Sequence, residues 1–127
     1  MKPVRLQLSR RAGFRLQVLS RAVNGLPAVS CARPGPLGNP FEVAPTPDGR
    51  MWCVRGPDGR ELAVCAERPA AQREACEFFR AWLAEPAQAD LRERGRATIA
   101  GRPSNVACWC ASDDPCHGDV WLEMASR

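Results

Sequence analysis

Residues 105–119 read NVACWCASDDPCHGD, and this stretch decides the predicted fold. Its first half, Asn105 to Ala111, is mostly apolar and predicts a strand buried on both faces. Strands of this kind occur in parallel sheets that are covered by helices. A turn then leads to Asp119–Ala125, an amphipathic segment that predicts a short C-terminal helix. We therefore expect a small α/β domain with a partly parallel sheet.

The rest of the chain supplies further strands and helices around this strand. Alternation at period two predicts a short strand over Arg5–Ser9, and Ala28–Ala32 is a second strand candidate. Apolar residues at helical spacing predict a helix over Ala70–Glu85. A shorter helix is predicted over Ala87–Arg94, with Gly95 as its C-cap. These elements predict a sheet of about three to five strands flanked by helices.

The tetrapeptide Pro-Asp-Gly-Arg occurs at residues 47–50 and 57–60, each time before a β-prone run. The two runs, Met51–Arg55 and Glu61–Cys65, predict a β-hairpin joined by a Pro-Asp-Gly turn. We expect this hairpin, about residues 45–66, to be an excursion from the main sheet. The length of 127 residues suits a single domain over residues 1–127.

Composition narrows the classes of protein to consider. No stretch approaches the roughly 20 apolar residues of a membrane span, and the start lacks the apolar core of a signal peptide. We therefore expect a cytoplasmic protein without a membrane partner. Seven cysteines in a reducing compartment favour free thiols or metal ligands over disulfides. The net charge is only +4, and no basic run is interleaved with aromatic residues, as a single-strand nucleic-acid surface requires.

Two loops carry the candidate ligand-binding residues. The segment Arg33–Phe41 holds three prolines and two glycines, which predicts a rigid loop after the second strand. The segment Ala111–Gly118 follows the buried strand. Ligands of open α/β sheets bind beyond the carboxyl ends of the strands, so the two loops form one site if their strands are parallel neighbours. The predicted ligand-binding residues are Arg33, Gly38, Asn39 and Cys110.

The chemistry of these loops predicts a small anionic ligand, such as a nucleotide or a nucleotide-derived molecule. The N-terminus of the last helix favours a phosphate or a carboxylate at the same place. The ligand is either recognised or transformed, for example by glycosidic or phosphate-ester cleavage. The catalytic candidates are Cys116 or Cys110, as a nucleophile activated by His117 or by a helix N-terminus, and His117 with Asp119, as ligand contacts or as an acid/base pair. In the structural alternative, His117 and Asp119 only begin the last helix.

Zinc is the alternative cofactor. Cys108, Cys110, Cys116 and His117 are ligands of the type that zinc prefers, and they predict a non-enzymatic module that binds a protein or a nucleic acid. Strand geometry is an objection, because side chains two residues apart stand roughly 7 Å apart, and adjacent Cys116 and His117 side chains are expected to diverge. Cys108 is therefore expected to be part of the core. Core packing is also predicted for the remaining cysteines, namely Cys31, Cys53, Cys65 and Cys76.

The chain resembles the DUF4326 family, an uncharacterised family of phage and bacterial proteins. The resemblance is carried by RLQLSR at 5–10, by ARP at 32–34 with GNPF at 38–41, by FRAWL at 79–83, and by ACWC at 107–110 with PCHGDV at 115–120. It implies that the Gly-Asn-Pro-Phe loop and the Cys-Trp-Cys to Cys-His segment are signature regions, and it implies no settled activity. The chain departs from the family pattern at Leu37, where an aromatic residue is expected, and in the long hairpin of residues 44–68.

Overall fold

The computed structural model describes residues 2–127. The elements of this part of the chain follow one another as β1 (Arg5–Gln7), α1 (Leu16–Asn24), β2 (Ala28–Ser30), β3 (Glu42–Pro45), β4 (Trp52–Arg55), β5 (Glu61–Cys65), α2 (Arg68–Leu83), α3 (Ala89–Arg96), β6 (Asn105–Cys108) and α4 (His117–Ala125). A 3₁₀ turn, Pro86–Gln88, precedes α3, and a π-helical turn, Ala97–Gly101, follows it.

The strand predicted from residues 105–111 is the centre of a parallel sheet with the order β1–β6–β2. All four residues of β6 are buried, as predicted. Val106 packs in the main core with Val120 and Trp121 of α4. Ala107 faces the opposite side, where it packs with Leu6 and Ala28, and Leu16 of α1 closes that side. Helices thus cover both faces of the sheet, and the α/β fold class is confirmed.

The two Pro-Asp-Gly-Arg segments form the turns of a second, antiparallel sheet with the order β3–β4–β5. Gly49 and Gly59 adopt positive φ angles of 73° and 84°, which glycine tolerates without steric cost. The side chains of Asp48 and Asp58 each accept a hydrogen bond of 3.0 Å from the N–H two residues further on. The predicted hairpin is therefore confirmed as β4 and β5. The strand β3 was not predicted, because it has only four residues and ends in a proline.

Helix α2 joins the two parts of the fold, since it contacts all three antiparallel strands and also α4. Phe79 of α2 and Trp121 of α4 are fully buried, and their rings meet edge to face at 5.9 Å. Gly95 corrects one prediction, because it lies inside α3 and does not cap it. A Cβ atom at this position would overlap the Trp121 ring. Close packing, and not a left-handed backbone, is why glycine stands there.

The boundaries of the other elements differ from the predictions by a few residues. The largest differences are that β6 ends at Cys108 instead of residue 111, and that α1 was not predicted at all. Two apolar residues of α1, Val18 and Val23, are exposed, and the buried residue of this helix is the polar Ser20. Within residues 2–127, every helix is too short or too polar to cross a lipid bilayer.

Candidate functional site

A cavity of about 610 Å³ opens at the carboxyl ends of β2 and β6. These two strands are parallel neighbours, so the two predicted loops do meet there. Helix α4 holds the first loop in place at two points. The indole Nε1 of Trp121 donates a hydrogen bond to the carbonyl of Leu37 at 2.8 Å, and Nε2 of His117 donates to the carbonyl of Cys31 at 2.5 Å.

The structure brings most of the predicted site residues to this cavity. Those that line it are Arg33, Asn39, Cys108, Cys110, Cys116 and His117. The amide oxygen of Asn39 accepts a hydrogen bond from the N–H of Phe41 at 2.8 Å, so this side chain also fixes the turn.

Gly38 and Asp119 are not among the residues that line the cavity. A Cβ atom at Gly38 would lie 3.0 Å from Cγ of Arg33, so the glycine permits close packing within the loop. The carboxylate of Asp119 instead forms a 3.0 Å ion pair with Arg5. Asp119 is thus placed beside Arg5 and not beside the ring of His117.

At the N-terminus of α4, where an anion site is predicted, one backbone N–H already donates to a side chain of the protein. Cys116 is the N-cap residue, and its sulfur accepts a hydrogen bond from the N–H of Gly118 at 3.4 Å. This N–H is therefore directed at a sulfur atom of the protein. The positive end of the helix dipole stabilises negative charge on Cys116.

Positive charge surrounds the mouth of the cavity. Arg10, Arg33 and Arg68 are exposed residues of its lining, and Asp114 is the one carboxylate among the described lining residues. The guanidinium of Arg10 lies 4.6 Å from the ring centre of Trp109, and that of Arg68 lies 5.7 Å from the ring of Trp52. These cation–π contacts hold two of the three charges at the rim.

Thiol groups gather on the floor of the cavity. The sulfur atoms of Cys108, Cys110 and Cys116 all lie within 4.8 Å of one another, and the first two are 3.9 Å apart. The expected separation of roughly 7 Å is wrong here, because β6 ends at Cys108 and the chain bends before Cys110. Cys108 is buried, as predicted, but it also lies at the centre of this group.

A second group shares the sulfur of Cys108. It consists of Cys31, Cys108 and His117, whose ligand atoms also lie within 4.8 Å of one another. The side chains of Cys116 and His117 do not diverge as expected, since Sγ and Nδ1 are 3.8 Å apart. Cys31 is fully buried, but its position directly after β2 places its sulfur at the same sheet edge. Each group could hold a metal ion.

The pKa values of the clustered thiols are shifted in opposite directions, down for Cys108 and up for its neighbours. Hydrogen bonding with Cys110, then with Cys116 and Cys31, lowers the pKa of Cys108. Hydrogen bonding with Cys108 raises the pKa of Cys31, Cys110 and Cys116, and burial raises it further. Burial lowers the pKa of His117, so its ring is neutral at neutral pH. Without a metal, Cys116 is therefore a thiol and a poor nucleophile.

Arg5 was not predicted as a site residue, although it determines the shape of the second loop. Its buried side chain donates hydrogen bonds to the carbonyls of Ala111, Ser112 and Asp114 at 2.8 to 3.1 Å. The same guanidinium binds Asp119. The loop between Cys110 and Cys116 is thus fixed by one arginine from β1.

Gln72 was also missed. It projects from α2 into the cavity lining, it is only 8% exposed, and no side-chain hydrogen bond found within residues 2–127 involves its amide. A signal was present in the sequence, because Gln72 is a polar residue one turn before Ala75 and Cys76 in the apolar stripe of the helix. Neither amide atom of Gln72 is among the fully buried, unpartnered side-chain atoms of residues 2–127, so the amide is open to the cavity.

Comparison with known proteins gives a match to one protein family. The family model described as "Domain of unknown function (DUF4326)" matches residues 20–127. The chain belongs to the DUF4326 family. No curated protein and no solved structure is significantly similar to the chain. The resemblance seen in the sequence is therefore confirmed, and the activity of this DUF4326 protein has to be inferred from its own residues.

Proposed function

We propose that this DUF4326 protein binds a small anionic molecule of the nucleotide type in the cavity between the Arg33–Phe41 loop and the Cys110–Asp119 loop. One observation carries the proposal, namely the excess of positive charge around a concave site. Arg10, Arg33 and Arg68 line the cavity with Asp114 as the counter-charge among the described lining residues. A guanidinium binds phosphate or carboxylate oxygens in pairs through its planar fork.

The size and the polar lining support a small ligand. The volume of about 610 Å³ lies within the range of roughly 300 to 1,000 Å³ that is typical of small-molecule sites. The amide of Gln72 lines the inner wall, where it can donate to and accept from a ligand. Trp109, which is 44% exposed at the rim, offers an aromatic face of the kind on which nucleobases stack.

We assign binding, and not catalysis, to this cavity. Hydrogen bonding with Cys108 and burial raise the pKa of Cys116, and Asp119 is paired with Arg5, so neither predicted partner of His117 is arranged for acyl or phosphoryl transfer. His117 is held instead by the carbonyl of Cys31 and by the edge of Phe79, whose ring centre is 5.4 Å away.

The test measures thermal stability with a nucleotide, with its anionic part and with a neutral analogue. AMP and pyrophosphate should raise the melting temperature of the reduced protein, and adenosine should have a smaller effect, because ligands that bind only the folded state stabilise it. Arg33→Gln should weaken AMP binding about tenfold, which corresponds to about 1.4 kcal/mol. Arg21→Gln is the matched control, since Arg21 is exposed on α1 and does not line the cavity. The proposal fails if neither anion stabilises the protein, or if both variants weaken binding equally.

A second candidate function is favoured by the thiol and imidazole cluster. Here, zinc bound by Cys108, Cys110, Cys116 and His117 stabilises a module that binds a protein or a nucleic acid. The short distances within the two overlapping groups support it. Metal analysis should give about one zinc per chain, and chelation should unfold the protein. Purified reduced protein without zinc, and with unchanged stability in chelator, would eliminate this candidate.

A further inference from the structure

We propose that Cys108, Cys110 and Cys116 bind one Zn²⁺-like cation and leave one coordination position open to the cavity. The occupant of that position is an oxygen of the anionic ligand, and this part of the inference rests on the proposed function. The site is then a ligand-binding metal centre, which differs from the closed zinc site expected of a purely structural module. Zinc sites of the open type have three protein ligands and one exogenous ligand.

The positions of the three sulfur atoms fit a single ion. Two sulfurs that bind zinc at ~2.3 Å with tetrahedral angles are about 3.8 Å apart. The sulfurs of Cys108 and Cys110 are 3.9 Å apart, and Cys116 lies within 4.8 Å of both. All three residues line the cavity. An ion bound by these sulfurs therefore faces the same space as the rim arginines.

Two residues beside the triad, His117 and Cys31, are not members of it. A ligand atom of His117 lies within 4.8 Å of the sulfurs of Cys31 and Cys108, but His117 does not belong to the group formed by Cys108, Cys110 and Cys116. Its Nε2 donates to the carbonyl of Cys31, and its ring packs against Phe79. The thiol of Cys31 donates to the carbonyl of Ala107 at 3.4 Å, and Cys31 is not among the residues that line the cavity. Recruiting Cys31 would break this buried hydrogen bond to the backbone. The triad of Cys108, Cys110 and Cys116 needs no such rearrangement.

The surrounding residues fix the triad before any ion binds. Arg5 holds three carbonyls of the loop that connects Cys110 to Cys116. The N–H of Gly118 donates to the sulfur of Cys116, and such contacts orient a ligand atom and stabilise its negative charge. A side chain at position 118 would lie 3.0 Å from Cδ of Arg5. The glycine therefore allows Arg5 to reach the loop.

The positive charge of the rim arginines compensates the negative charge of the proposed metal centre. Three thiolates exceed the charge of one divalent cation by one negative charge, which alone would disfavour an anion at the open position. The guanidinium groups of Arg33 and Arg68 at the cavity rim offset this excess. The anionic ligand is thus attracted by the arginines and oriented by the metal.

The experiment uses Co²⁺ as a spectroscopic substitute for zinc in the full-length, reduced, metal-free protein, and azide as the probe of the open position. We expect one Co²⁺ per chain with thiolate charge-transfer absorption, and a change in the visible spectrum when azide is added. Cys110→Ser should weaken Co²⁺ binding at least about tenfold, as expected for loss of a ligand. Cys76→Ser, on the cavity wall but outside the triad, is the matched control and should have no effect.

Three results would overturn the inference: no Co²⁺ binding, a spectrum insensitive to azide, or weakening by Cys31→Ala or His117→Asn as large as that by Cys110→Ser. The wild-type azide result does not depend on the folding of any variant. The proposed function is tested separately by AMP binding in the presence of a chelator. AMP binding without Co²⁺ binding would support the proposed function and contradict the metal centre. Co²⁺ binding without AMP binding would support the metal centre and contradict the proposed function.

Discussion

The two ends of β6 differ in how far their polar groups are hydrogen-bonded within the protein. At the amino end, Asn105 is fully buried, and its oxygen accepts hydrogen bonds from the N–H of Val4 and from Asn24 at 2.9 and 2.8 Å. Its nitrogen donates to Ser20 and to Asn24 at 2.7 and 2.8 Å. The amide is saturated. At the carboxyl end of the same strand, Cys108 and the neighbouring thiols face a cavity, together with the amide of Gln72.

The amino end of β6 therefore has a structural role, and its carboxyl end has the features of a binding site. Saturated polar groups join β1, α1 and β6 and have no capacity left for a ligand. Groups at the carboxyl edge keep unused donors and acceptors, which is the arrangement of a binding site in an α/β sheet. Substitutions at the two ends should therefore have effects of opposite kind on stability and on binding.

The largest loss of stability is expected for Asn105→Ala. Removal of this side chain leaves the N–H of Val4 without its partner and takes away the hydrogen bonds of Asn105 with Ser20 and Asn24, which keep their bonds to Leu26, at a cost of about 3 kcal/mol. Urea denaturation measures the change. Co²⁺ affinity of the folded variant should stay the same, because the thiols are at the other end of β6. A loss below about 1 kcal/mol would show that the Asn105 network is replaceable.

A smaller loss, about 2 kcal/mol, is expected for Arg5→Lys. Lysine keeps the positive charge, but an ammonium group cannot satisfy three carbonyls and one carboxylate in the geometry of the planar guanidinium. We also expect Co²⁺ to bind about tenfold more weakly, because the loop that carries Cys110 and Cys116 loses its support. Equal Co²⁺ affinity in Arg5→Lys and the wild type would contradict the bracing role.

The sequence predicts a partly parallel sheet with a buried central strand, because the apolar pattern of residues 105–108 is local. It leaves open whether the two loops meet, since that depends on the pairing of β2 with β6. It does not predict α1, whose apolar residues Val18 and Val23 are exposed. It also misplaces Gly95, since the reason for this glycine is contact with Trp121 of a distant helix. Features that depend on contacts between distant parts of the chain cannot be predicted from the local sequence pattern.

The same distinction applies to the candidate site. Cys108, Cys110, Cys116 and His117 are close in sequence, which marks them as candidate ligands, but strand geometry predicts that their side chains do not converge. Cys31 joins them only through the pairing of β2 with β6, and the role of Arg5 depends on a contact across 114 positions of the chain. The bend after Cys108 decides the sulfur geometry, and strand periodicity alone gave a separation that was too large.

A smaller effect than those of Asn105→Ala and Arg5→Lys is expected from pH. Burial lowers the pKa of His117 below its usual value of 6.5, so the unfolded chain takes up a proton first as the pH falls. This contribution is fully present above that value and is lost as the pH falls through the lower pKa of the folded state. The slope is at most about 1.4 kcal/mol per pH unit. In metal-free buffer, His117→Asn should lose less stability than the wild type between about pH 7 and pH 5, and parallel curves would contradict this.

The smallest change in stability is expected for Gln72→Met. No side-chain hydrogen bond found within residues 2–127 involves Gln72, and its amide is open to the cavity, so a thioether of similar shape breaks no hydrogen bond within this part of the chain. Urea denaturation should show a stability within about 0.5 kcal/mol of the wild type. AMP binding should weaken at the same time, because the inner wall of the cavity loses its donor and acceptor. Destabilisation comparable to Asn105→Ala would mean that the amide at the carboxyl edge is as structural as the one at the amino edge, and the contrast between the two ends of β6 would fail.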